Sequence, residues 1–251
     1  MRTMQFFLVI VLSCFSIPEV SPAGTIGPSA VWLPPQDFIT KAHSACDKSN
    51  PPNYGQCFID QMNNSGAPAA AVAFSRSLFR ESDGQVGIMT EFHAVGPVDV
   101  VRVLYPLRAN DNYGLLLVNG DPPILDVDDL KKLDQAAMEQ NPLFQAVKQR
   151  YSGTMLFPGD RSNTMWPQVK PLPDGGQQFI IGYPLLNGCH ACAHVGLARF
   201  SWDFNAKGKF LGTTYIPTPP PPKLMRPNRA PQTPPAQPPP PSQPPPQQQQ
   251  P

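Results

Sequence analysis

Two runs near the C-terminal end repeat with a period of two, and with the return strand after them they leave that part of the chain few folds to choose from. Residues 177–186 place Phe179, Ile181, Tyr183 and Leu185 on one face. Residues 195–204 place Ala198, Phe200, Trp202 and Phe204 on one face and Arg199, Ser201 and Asp203 on the other. Residues 209–216 follow after Asn205-Ala206-Lys207-Gly208, a hairpin loop with glycine where a left-handed residue is wanted. Alternation of this kind is a strand signal. The expectation is a three-stranded antiparallel meander, with Pro184 at an edge or a bulge because it has no N–H to donate.

Upstream, helical and strand patterns come in blocks. Apolar spacing predicts short helices near 37–43 and from Cys57 through Phe58, Ile59 and Met62, the latter ending at Asn63-Asn64-Ser65-Gly66. A third is predicted over 67–80, with Pro68 in its first turn, where a missing N–H costs nothing. Residues 86–94 alternate as a strand, 98–105 form a β-branched strand, and 113–118 and 124–127 add two more. Asp128 is a good N-cap for a helix over 129–140, and a further helix carrying Leu143, Phe144, Val147 and Tyr151 restarts after Asn141-Pro142. Residues 152–174 read as a long ordered loop. Without regular βαβ alternation, the pattern predicts an α+β fold with a largely antiparallel sheet and packed helices.

The two ends carry different information. Arg2, the apolar run 6–12 and Ser21-Pro22-Ala23 follow the charged, apolar, small-residue order of a signal peptide over 1–23. That run is too short to span a bilayer, and no later transmembrane segment is expected. Val11-Leu12-Ser13-Cys14 also resembles a lipobox, which makes Cys14 the candidate for a lipid anchor. The chain is therefore expected to be exported, periplasmic or secreted. From Pro217 to Pro251 proline and glutamine dominate, so this tail cannot bury enough apolar surface to offset chain entropy and is expected to be a disordered tether. One α+β domain over 24–216 lies between. A net charge of +1 argues against a nucleic-acid partner.

Of the five cysteines, Cys14 is either removed with the leader or consumed by lipid. That leaves Cys46, Cys57, Cys189 and Cys192, an even number that reads as disulfides in an exported chain. Four cysteines permit three pairings, and the two local ones are favoured. Cys46–Cys57 would clip a polar, turn-rich loop, worth about 3 kcal/mol in the chain-entropy model.

The densest chemistry is Asn187-Gly188-Cys189-His190-Ala191-Cys192-Ala193-His194, a turn between two predicted strands. A redox-active C-x-x-C needs its first cysteine at a helix N-terminus, and here a strand pattern follows. Metal binding would use Cys189, Cys192 and one or both histidines, but adjacent Cys189 and His190 cannot easily reach one tetrahedral ion. Neither a metal nor a cofactor is therefore expected. His190 and His194 are predicted instead to be presented for recognition on a disulfide-closed tip. Arg108, Asn110 and Asn112 form a second candidate binding loop, for an anion or a sugar, although Asn in loops often serves turn geometry. No G-x-S-x-G elbow or H-E-x-x-H motif occurs. Glu91, His93 and Asp99 lie on neighbouring strands and could meet, but surface alternation accounts for Glu91 and His93 more simply.

The order of strand, short Cys-to-Cys loop with His, and strand resembles the Ivy-type periplasmic inhibitors of vertebrate lysozyme. That family's loop is written C-x-x-H-D-C, whereas Cys189-His190-Ala191-Cys192 is two residues shorter and lacks the Asp. Phe58-Ile59-Asp60-Gln61-Met62 is similar to the F-x-Q-M piece of the family's early helix, with one extra residue between Phe and Gln. The resemblance implies a loop inserted into a lysozyme cleft. Together these features predict a non-enzymatic, exported protein of a bacterial envelope that binds a protein or a cell-wall glycan through the Cys189–Cys192 turn. The alternative is a periplasmic thiol-redox or metal-handling protein using the same two cysteines.

Overall fold

A computed structural model describes residues 25–47, 51–109, 112–158 and 166–217. The expected leader with Cys14, Asn110 of the candidate binding loop, and the tail beyond Pro217 lie outside the described residues.

The fold is α+β, built as helices on one antiparallel sheet and that sheet on a second. Helices α1 (Phe38–Cys46), α2 (Pro51–Asn64) and α3 (Ala69–Glu81) precede the first sheet, of order β1 (Ile88–His93), β2 (Asp99–Leu104), β3 (Tyr113–Val118) and β4 (Ile124–Asp126). Short helices α4 (Gln135–Gln140) and α5 (Pro142–Arg150) follow. The second sheet has β7 (Gln177–Asn187), β8 (His194–Phe204) and β9 (Phe210–Ile216) as a meander. Two short strands, β5 (Thr154–Leu156) and β6 (Gln168–Pro171), both pair with the other side of β7. No helix among the described residues is long and apolar enough to cross a membrane.

β2 explains why there are two sheets rather than the single one expected. Alternate residues point to opposite faces of a strand. Val101 and Val103 pack with Phe74 and Leu78 of α3, while Val100 packs with Phe179, Ile181, Phe200 and Trp202 of the second sheet. A strand covered on both faces reads as a continuous apolar run. Gln177 ties the two sheets at one end. Its side-chain oxygen accepts from Val98 N at 2.8 Å, and its amide nitrogen donates to Val95 O at 3.0 Å.

The expected helix over 129–140 is broken. A single 3-10 turn, Leu130–Lys132, is followed by extended Leu133, and α4 starts only at Gln135 under a cap from Asp134. The cause lies in β9. Thr213 Oγ1 donates to Lys132 O at 2.7 Å and accepts from Asp134 N at 3.0 Å, taking a carbonyl and an N–H that a continuous helix would use. The expected loop over 152–174 also contains β5 and β6, whose lengths are too short to show a period.

Cys46 and Cys57 are joined, with Cα atoms 5.8 Å apart. The bridge links the end of α1 to the body of α2, because α2 begins at Pro51 and takes in most of the expected loop. Proline suits a first helical turn. Gly55 is needed there, since a Cβ would come within 2.3 Å of the Phe79 ring of α3. Pro184 sits inside β7 beside a bulge at Leu185/Leu186. Its carbonyl accepts from Phe157 N on the β5 side. Its nitrogen therefore faces the same side and, lacking a hydrogen, returns no bond to Phe157, just where β5 has ended at Leu156.

Candidate functional site

The tip of the β7–β8 hairpin, residues 188–193, is held by three links. Asn187 N donates to Ala193 O at 3.0 Å, Cys192 N donates to Cys189 O at 3.0 Å, and Cys189–Cys192 closes the ring with Cα atoms 5.0 Å apart. Gly188 turns the chain at φ +93°, a conformation that side chains rarely adopt. The base is tight as well, because a Cβ at Gly153 beside β5 would meet Asn187 Oδ1 at 2.9 Å. β8 starts at His194, so no helix dipole acts on either cysteine.

His190 and His194 are both exposed. The His190 ring meets Phe157 edge-on, with centroids 6.1 Å apart. On the outer face of the same sheet Met155 pairs with Leu186 and Leu197 with Pro184. Met155 is 53% and Leu197 39% exposed, so an apolar strip adjoins the tip. Among the described residues no three His, Cys, Asp or Glu side chains are placed to hold a metal ion.

Arg108 belongs to a different cluster, after β2. Its guanidinium lies over the Tyr105 ring, 3.5 Å from the centroid. Nε and Nη2 both donate to Gln85 Oε1, the former at 3.0 Å. Nη1 is 3.8 Å from Asp128 Oδ2, and Nη2 is 3.9 Å from Asp126 Oδ2. Asn112 is committed to the backbone. Its Nδ2 donates to Arg108 O at 3.0 Å and to Tyr105 O at 3.3 Å, which pins the turn that carries Arg108. Asn112 therefore positions Arg108 and does not offer its own amide.

Burial pushes the Tyr105 phenol well above its usual range, with the nearby Asp126 adding to the effect. Burial also raises the Asp126 carboxyl, although Asp128 N–H and Arg108 pull it down. A carboxyl raised above its unfolded value of 3.8 holds its proton more tightly when folded. Its contribution thus favours the folded state at low pH and turns against it as pH climbs through the raised value. Asp126→Asn keeps the oxygen that accepts from Asp128 N–H at 2.8 Å. The variant is expected to be more stable than the parent at pH 7 and equal to it near pH 3, in urea melts across that range. A larger difference at pH 3 than at pH 7 would refute this.

Glu91, His93 and Asp99 do not converge. Glu91 binds the buried Arg102, His93 stacks on Trp166 with centroids 5.0 Å apart, and Asp99 closes the β1–β2 turn. Asp99 Oδ1 accepts from Val95 N at 2.9 Å and Oδ2 accepts from Asn119 Nδ2 at 2.8 Å. Trp166 covers both His93 and Arg102, the latter at 4.4 Å. Reasoning from the sequence missed Gln85 and Asp126 as neighbours of Arg108, since they come from distant segments, and missed Tyr105, which stands three residues before it. Comparison of the chain with protein-family models, curated proteins and solved structures finds no match.

Proposed function

We propose that the chain is an exported, non-enzymatic binding protein of inhibitor type whose recognition element is the Cys189–Cys192 tip. The observation that carries this is the tip itself: a short turn stapled at three points, with His190 and His194 exposed beside the Met155–Leu197 strip. A loop ordered before binding loses little entropy on binding. Two disulfides are the state an oxidising compartment maintains, which supports export. The resemblance to Ivy-type inhibitors makes a vertebrate lysozyme the first partner to try, with peptidoglycan as the second.

The disulfide-intact chain is mixed with each and binding is measured by calorimetry. Cys189→Ser with Cys192→Ser is expected to weaken binding about tenfold, near 1.4 kcal/mol, by freeing the tip. His190→Ala and Met155→Ser are expected to weaken it further. Absence of binding to either partner, or binding unchanged in the double cysteine variant, would sink the proposal.

A further inference from the structure

We infer that the cleft between the α3–β1 turn and the loop after β2 is a binding site for a neutral amide group, and that Gln85 is its internal occupant. The cleft has a volume of about 320 Å³ and is lined by Gly84, Gln85, Val86, Tyr105, Leu107 and Arg108. That is the lower end of the size range of small-ligand sites, roughly 300–1,000 Å³. It suits one sugar ring or one acylated amino acid.

The Nε/Nη2 edge of an arginine is a fork that recognises oxygen acceptors. Here both nitrogens donate to a single amide oxygen, that of Gln85. Gln85 is exposed, in a turn that follows Gly84 at φ +90°. Its backbone is tied down, because Gln85 N donates to Ser82 O at 3.3 Å and Gln85 O accepts from Ser82 Oγ at 3.2 Å. Its side chain is an arm that can rotate away without disturbing the turn. A ligand amide oxygen would take the place of Gln85 Oε1 with the same geometry.

Charge selects the class of ligand. Asp126 and Asp128 stand within 4 Å of the same guanidinium. They already offset its charge, so a carboxylate or phosphate at the fork would meet two like charges behind one cation. A neutral carbonyl meets no such penalty. Tyr105 supplies the second observation. The residue is only 1% exposed, and among the described residues its hydroxyl has no hydrogen-bond partner. Buried polar groups ordinarily find a partner, so this hydroxyl is open to an acceptor that the described residues do not supply.

The disulfide-intact full chain is titrated with N-acetylglucosamine, N-acetylalanine amide and sodium acetate, followed by backbone amide NMR. Saturable shifts at Gly84, Gln85, Leu107 and Arg108 are expected with at least one of the two amides. No such shifts are expected with acetate at equal concentration. A response to the sugar alone identifies an N-acetyl sugar as the source, and a response to the amino-acid amide alone identifies a peptide. Gln85→Ala removes the internal competitor and is expected to tighten amide binding about three- to tenfold. Arg108→Lys keeps the charge but loses the fork, and is expected to weaken binding at least about tenfold while the rest of the spectrum is kept. Acetate binding as tight as either amide, no saturable response from either amide in the parent and in Gln85→Ala, or weaker binding in Gln85→Ala would overturn the inference.

Discussion

Tyr183→Phe is expected to lower the unfolding free energy by about 3 kcal/mol, although it removes one oxygen atom and leaves the ring in place. Tyr183 is fully buried, and its hydroxyl is the middle of a three-member chain. It accepts from Trp202 Nε1 at 2.9 Å and donates to Val127 O at 2.9 Å. Burial pushes this phenol well above its usual range, so it stays protonated and can do both. Phenylalanine would strand an indole N–H and a backbone carbonyl inside the core between the sheets, each costing about 1–3 kcal/mol. Trp202→Phe leaves the bond from Tyr183 to Val127 intact and should lose mainly packing. Urea melts of both variants, with m-values checked for constancy, decide the matter. A loss under about 0.5 kcal/mol for Tyr183→Phe would show that water reaches the stranded groups.

At the edge of the same core, Glu91→Ala is expected to cost about 2–3 kcal/mol, whereas Arg102→Met should be close to neutral. Arg102 Nη1 donates to both Glu91 oxygens, at 2.9 and 3.0 Å. The Arg102 side chain is 10% exposed and that of Glu91 48%. Removing Glu91 leaves a desolvated cation against the Trp166 face, and among the described residues Arg102 Nε and Nη2 are already buried without hydrogen-bond partners. Replacing Arg102 removes that burden and leaves Glu91 in water, where a carboxylate is comfortable. Methionine also fills the space beneath Trp166. Denaturant melts would reject this account if Arg102→Met proved more damaging than Glu91→Ala.

The parts of the fold legible in the chain are those whose period is long enough to count. The meander of β7, β8 and β9 lies within one or two residues of its expected bounds, as do β1 to β4 and α3. β5 and β6 were not legible, because three or four residues carry no period and both depend on β7 for their hydrogen bonds. The break before α4 was not legible either, since the cause, Thr213, lies far along the chain. At the sites, Arg108 and the tip histidines could be named in advance. The second role of Asn112, and the convergence of Gln85, Tyr105 and Asp126 on Arg108, could not be.

By itself the sequence determines the α+β class and the placement of a tight turn between two strands, and it favours the two local cysteine pairs that the structure then joins. These follow from local periodicity and from the short reach of neighbouring cysteines. Only the tertiary structure decides that β2 is covered on both faces, that Tyr183 links Trp202 to Val127, and that an arginine fork is filled by the chain's own amide. Each of those depends on groups brought together from distant segments, and no local pattern encodes which distant partner a buried polar group will find.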